Sequence, residues 1–332
     1  MIEITPSVLE KQAQTALVNH LHPFDPTYGY GIEQLLAVPS PEGPADFCHF
    51  WEETYAEVRR VDLALTHREV KSPSSYFRLF EVEFNSLGGV RIGAWVTIPT
   101  EGKITCGKVM GHGYGTSVAP EFTPTPYSAA SIFFCARGLG RSEQSPIPNM
   151  TPLHVVHGIE SRETYVWRGC VADVWCAASA LLELYPEVEG NLFYHGASFG
   201  GGLGALALPW DSRFQRAFLG VPTFGNHPLR LDLPCSGSGN ALTERYRVDP
   251  AILDVLVYFD AATAARFIKI PVLLDLALFD PGVPPPGQFA VGNAIPGEKE
   301  VFIRVNAHSE SRFDLAANRE ILKIKDRWFG GR

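Results

Sequence analysis

Two kinds of apolar pattern divide the chain near residue 100. Before that point, F-E-V-E-F-N-S and V-R-I-G-A-W-V-T-I-P alternate apolar and polar positions on either side of Leu87-Gly88-Gly89. A period of two around a glycine turn predicts a β-hairpin. Beyond it, short runs that are apolar at nearly every position recur: G-K-V-M-G, S-I-F-F-C-A, N-L-F-Y-H-G, A-F-L-G-V-P, I-P-V-L-L-D-L-A-L-F and V-F-I-R-V. Strands covered on both faces have this character, and parallel strands joined by crossovers are covered in that way. Apolar residues at helical spacing predict a helix over 162–185 and a last one over 312–329. Asp46 stands where it can cap a helix reaching about residue 59. The fold class that follows is α/β: a mixed, mostly parallel sheet with helices on both faces. Residues 1–45, irregular and rich in Pro, Gly and aromatics, are expected to form an N-terminal arm on a single domain covering 46–332. Residues 239–268 are expected to be a helical insertion near the site, lining a substrate entrance or packing on a neighbouring subunit.

Composition narrows the classes of function. Hydrophobic residues make up 45% of the chain and charged ones 19%, which supplies a large core and too little charge for disorder. The formal net charge of -8, with no basic run, argues against a nucleic-acid partner. No apolar stretch reaches the roughly 18 residues of a membrane helix, so no membrane partner is expected. The first residues lack the basic start and apolar centre of a secretory signal. The six cysteines (Cys48, Cys106, Cys135, Cys170, Cys176, Cys235) form no C-x-x-C pair. They read as buried, reduced thiols of a cytoplasmic protein. His154 and His157, and His20 and His22, are near neighbours in sequence, but nothing completes a ligand set, so no metal is expected. No G-x-x-x-x-G-K-[ST] occurs, and no cofactor is expected.

The strongest chemical signal is Gly196-Ala197-Ser198-Phe199-Gly200, followed by two more glycines. It stands between a predicted strand and a small-residue helix, the setting of a nucleophile elbow. There a serine sits in a tight turn with its hydroxyl exposed, and the helix N-terminus directs positive field at a developing oxyanion. A serine needs a base within hydrogen-bond reach to act at neutral pH. The fold's usual chain order puts an acid and then a histidine after the serine, each just past a later strand. Asp280 and His308 occupy those places. Asp275 is a rival acid inside its strand, and His227 a rival base after too early a strand. For the oxyanion hole, one N–H is expected from Phe199 and the other from the loop G-H-G-Y-G, with Tyr114 chosen and Gly113 and Gly115 as alternatives. Arg137 reads as a structural tie between loops.

From about residue 28 onward, several segments carry a family resemblance: A-D-F-C-H-F-W-E-E-T-Y-A-E-V, G-G-V-R-I-G-A-W-V-T-I-P, G-H-G-Y-G, A-R-G-L-G, G-A-S-F-G-G-G and L-F-D-P-G-V-P-P-P. In these the chain resembles the acetyl xylan esterase / cephalosporin C deacetylase family of α/β-hydrolases. The resemblance implies the α/β-hydrolase fold and removal of acetyl groups from small esters such as acetylated oligosaccharides. It also implies a cytoplasmic protein without metal, assembled as a homo-oligomer, often a hexamer. It puts the triad on Ser198, Asp280 and His308 and the oxyanion donors on Tyr114 and Phe199. Three positions depart from the family pattern: Leu139 and Phe199 each replace a glutamine, and Ser309 replaces a glutamate. Phe199 is expected to make the mouth of the site larger and more apolar, so that the departures bear on the substrate more than on the reaction. The elbow alone does not separate an esterase from a peptidase or lipase of the same fold, or from a hydrolase fold kept only for binding.

Overall fold

Residues 4–115 and 118–330 are described by a computed structural model. Its sheet is built from β1 (Thr66–Val70), β2 (Phe77–Ser86), β3 (Val90–Pro99), β4 (Cys106–Gly111), β5 (Ala129–Phe134), β6 (Leu192–Ala197), β7 (Phe214–Gly220), β8 (Val272–Phe279) and β9 (Lys299–Asn306). They lie in the order β1-β2-β3-β5-β4-β6-β7-β8-β9. The alternating segments form the β2–β3 hairpin, with Ser86 opposite Val90. Gly88 and Gly89 between them hold φ of 74° and 72°, a region open to glycine and strained for residues with a Cβ. The apolar runs supply β4 to β9, all parallel, and β3 joins them antiparallel through β5. β1 was not anticipated. Its sequence T-H-R-E-V is exposed and charged, as an edge strand that resists pairing with other chains should be.

The longer helices are α1 (Pro6–Gln14), α2 (Ile32–Leu36), α3 (Phe47–Val58), α4 (Val166–Leu184), α5 (Phe199–Ala207), α6 (Gly239–Val248), α7 (Pro285–Ala294) and α8 (Asp314–Gly330). α3, α4 and α5 cover one face of the sheet around the fully buried Trp51, Trp167 and Trp175. α8 covers part of the other, laying Ile321, Trp328 and Phe329 on Phe193, Phe218 and Leu273. Asp46 precedes α3 as expected but does not cap it. Its carboxylate instead accepts from Arg162 Nη1 at 2.6 Å and Tyr258 Oη at 2.5 Å. A charged partner and a phenol outcompete the helix's own N–H groups, because charge-assisted bonds are the stronger ones.

The described part of the first 45 residues makes specific contacts with the rest of the chain. Lys11 on α1 donates to the carbonyl of Ile303 in β9. Ile32 and Leu35 of α2 enter the main core, and Asn293 of α7 donates to the carbonyls of Leu35 and Val38. Pro26 supplies a carbonyl to the main-chain N–H of Asp280 at 3.0 Å. All six cysteines are unpaired thiols, five of them buried. Among the described residues, no helix is long and apolar enough to cross a membrane.

Candidate active site

β6 ends at Ala197 and α5 begins at Phe199, so Ser198 alone makes the turn, with φ 56° and ψ -116°. That conformation costs an ordinary residue about 1–3 kcal/mol. Three main-chain bonds hold it. The Ser198 N–H donates to Gly220 O at 2.8 Å, and its carbonyl accepts from Gly202 N at 3.0 Å and Thr223 N at 3.2 Å. Every residue of α5 is buried as well. At roughly 1.5–3 kcal/mol for each large apolar side chain removed from water, Phe199, Leu203 and Leu206 together outweigh the strain. Gly200 is needed for a different reason: a Cβ there would stand 2.7 Å from the main chain of Gly111, so only glycine lets α5 approach the end of β4.

His308 follows β9 and Asp280 follows β8, at the same edge of the sheet as Ser198. The imidazole Nε2 lies 3.1 Å from Ser198 Oγ, and Nδ1 lies 2.8 and 3.0 Å from the two oxygens of Asp280. The carboxylate can only accept, so Nδ1 carries the hydrogen and the Nε2 lone pair is left for the serine proton. Burial opposes protonation of His308, but the charge and hydrogen bond of Asp280 outweigh it and raise the imidazole above its usual range. Asp280 is fully buried. Its Oδ1 accepts from the N–H groups of Gly282 and Val283, and its Oδ2 from Gln288 Nε2 at 2.8 Å. Gln288 escaped the sequence reading. It belongs to α7 and reaches the acid only because that helix folds back under the loop, its Oε1 pinned by the N–H of Ala277. An amide eight residues past the acid in a proline-rich stretch gives no local signal of this.

The rival residues are occupied elsewhere. Asp275 makes a two-pronged ion pair with Arg304 at 2.8 and 2.7 Å. His227 is fully buried beside Arg230, and burial first, then that positive charge, hold it well below histidine's usual range.

Tyr114 lies in the loop after β4 and Phe199 directly after the serine. Among the described residues, neither main-chain N–H has an acceptor. The rings of Tyr114 and Phe199 stack, centroids 3.9 Å apart. This corrects the expectation about Phe199. Its ring does not widen the mouth of the site; it is fully buried, edge-on to Trp167 and His112. The elbow turns the side chain after the serine inward, and an apolar ring suits that interior. The Tyr114 hydroxyl meets His154 Nδ1 at 2.9 Å and accepts from Trp167 Nε1 at 3.3 Å. Burial lowers His154 to about 4, so its ring is neutral at pH 7. Its Nε2 faces the carbonyl of Arg137 at 2.8 Å and must carry the hydrogen, so Nδ1 accepts from Tyr114. Arg137 is itself a tie. Its guanidinium grips Asp173 of α4 and also donates to Leu87 O and Ser86 Oγ at the hairpin turn.

Above Ser198 and His308 opens a cavity of about 670 Å³. Ser236, Ser238, Asn240 and Glu244 give one wall hydroxyl, amide and carboxylate groups, while Pro152 and Val283 supply apolar surface. Asn240 and Glu244 come from α6, inside the segment 239–268.

Comparison with known proteins bears on the family and the fold. A family model described as acetyl xylan esterase matches residues 37–325. The acetyl esterase Axe7A of Xylanibacter ruminicola is 24% identical over 298 residues, covering 84% of this chain and 66% of its own length. The chain therefore spans about two thirds of that relative. Among solved structures, acetyl xylan esterase 1 from Thermoanaerobacterium sp. JW/SL YS485 superposes with a TM-score of 0.75 at 22% identity, covering 91% of this chain and 99% of its own. An acetyl xylan esterase from Paenibacillus sp. R4 gives 0.73 at 22% identity, covering 89% and 99%. At such identity these superpositions establish the fold, that of the α/β-hydrolases.

Proposed function

The chain belongs to the acetyl xylan esterase family, and from that premise we propose that it is a serine carboxylesterase removing acetyl groups from carbohydrate or related small esters. The observation that carries the reading is the continuous chain from Ser198 Oγ through His308 to the buried Asp280, at 3.1 and 2.8 Å, on the floor of an open cavity. Ser198 Oγ attacks the ester carbonyl while His308 Nε2 takes its proton. The carbonyl oxygen becomes an oxyanion, stabilised by the N–H groups of Tyr114 and Phe199. Collapse of the tetrahedral intermediate breaks the bond to the alcohol, which leaves with the proton from His308. Water then attacks the acetyl carbonyl while His308 takes its proton, and that proton passes to Ser198 Oγ as the bond to the acetyl group breaks and acetate leaves. Asp280 holds the Nδ1–H tautomer throughout and offsets the positive charge that His308 carries between transfers. Hydroxyl, amide and carboxylate groups in the cavity wall suit the hydroxyls of a sugar as the alcohol half. The same reading takes a small ester as partner and a cytoplasmic setting in keeping with six unpaired thiols. Assembly as a homo-oligomer rests on the family resemblance alone.

Hydrolysis of p-nitrophenyl acetate, butyrate and octanoate tests the acyl preference. The acetate is expected to be cleaved with the highest kcat/KM and the octanoate poorly. A preference for octanoate would replace the deacetylase reading with a lipase-like one.

The pH dependence follows from His308. The base must be neutral to accept the serine proton, so activity is full above its pKa and lost as pH falls through it. Because Asp280 raises that pKa, the acid limb of kcat/KM is expected to have its midpoint above the 6.5 of an unperturbed histidine. A pH–rate profile with a midpoint below 6.5 contradicts the assignment.

A further inference from the structure

A second cavity, of about 690 Å³, lies on the sheet face that α8 covers and shares no lining residue with the one above Ser198. It exists because of the β4–β5 connection. Parallel strands are usually joined by a helix that fills such a space. Here Pro120, Pro124 and Pro126 oppose a helix, and the described residues of 112–128 form none.

The floor of this cavity is basic. Lys108 projects from β4, His195 from β6 and Lys325 from α8. Lys108 Nζ donates to Tyr127 Oη at 3.1 Å, and Lys325 Nζ to His195 Nε2 at 3.2 Å. Burial, with the two nearby ammonium charges, holds His195 well below its usual range, so the imidazole is neutral and accepts. Each ammonium has three donors and, among the described residues, uses one in a hydrogen bond. Glu101, Glu121 and Asp326 line the same cavity; Glu121 and Asp326 bias both lysines and Asp275 acts on Lys325 as well, yet among the described residues none of them forms an ion pair with either. Lys108 is 9% exposed. Burial presses both lysines below their usual range, against the pull of the nearby carboxylates. The Ser128 hydroxyl, on a residue that lines this cavity, is buried and has no partner among the described residues. A site serving only packing would be better filled by apolar side chains.

We propose that this cavity binds a small molecule through an oxyanion group, carboxylate or phosphate, received by Lys108 and Lys325. The volume is that of a small-molecule site, within the usual range of about 300–1,000 Å³. Glu121, exposed at the rim, favours a ligand whose outer end carries hydroxyl or ammonium groups.

Isothermal titration of the full chain with inorganic phosphate and with malonate, at constant ionic strength, tests this. Saturable binding of either is expected, and the preferred one identifies the kind of oxyanion. Lys108→Met and Lys325→Gln are each expected to weaken it at least about tenfold. Both variants should keep wild-type hydrolysis of p-nitrophenyl acetate, which shows that they fold. Ser198→Ala should bind as wild type does. The proposal is overturned if neither anion binds the wild-type protein, or if both lysine variants, still active, bind unchanged.

Discussion

Ser198→Ala is expected to lower kcat/KM for p-nitrophenyl acetate by about 10³-fold or more while leaving the fold intact. The substitution removes one oxygen atom. The turn at φ 56° is held by bonds of the main chain to Gly220, Gly202 and Thr223, none of which involves the hydroxyl. What remains in the variant, on the proposed mechanism, is the cavity above the site and the two N–H groups of Tyr114 and Phe199. Such remnants typically give only about 10³–10⁴-fold over water, far short of a complete triad. Circular dichroism and thermal melting of the variant should match wild type. A folded variant within tenfold of wild-type activity would mean that Ser198 is not the nucleophile.

The second large effect concerns stability. Asp173→Ala is expected to destabilise the protein by about 3–5 kcal/mol, read from chemical denaturation midpoints. Asp173 is fully buried on α4 and Arg137 is 7% exposed. Three bonds from the guanidinium and one from the Arg137 main-chain N–H converge on this carboxylate. Without it, the guanidinium remains buried with, among the described residues, only Leu87 O and Ser86 Oγ as acceptors. It cannot shed its charge, because arginine stays protonated at any ordinary pH. The cost is that of the abandoned charge and exceeds the net worth of the pair. The double variant Arg137→Met, Asp173→Leu should therefore recover much of the loss. A change below about 1 kcal/mol for Asp173→Ala would mean that water reaches the guanidinium when its partner is gone.

The hairpin and the parallel strands were legible because their apolar periods answer directly to burial on one face or two. The convergence of Ser198, Asp280 and His308 was legible for a related reason. Successive parallel strands end at one edge of a sheet, so residues just past β6, β8 and β9 must gather there. Contacts that depend on how elements meet in space were not legible. Gln288 reaches Asp280 only through the path of α7. Asp46 had a good local reason to cap α3 and lost to Arg162 and Tyr258, more than a hundred residues away in sequence. The direction of the Phe199 ring depends on the sense of the elbow, which a string of residues does not display. Pro26, in a stretch read only as an irregular arm, carries the carbonyl that fastens the main chain of Asp280.

The stacked rings of Tyr114 and Phe199 continue inward through Trp167 to Phe224, whose ring lies 4.1 Å from that of Trp167. The two proposed oxyanion donors are thus the outermost members of an aromatic column rooted in the main core. Their spacing is set by the stacking of the two rings, and the Tyr114 hydroxyl is fastened to His154 and Trp167. In evolutionary terms, this places two kinds of selection on the same residues. A change at Trp167 or Phe224 that the fold tolerates still passes its displacement outward to the site. Drift at these interior positions is filtered by turnover as well as by stability, although neither side chain lines the cavity.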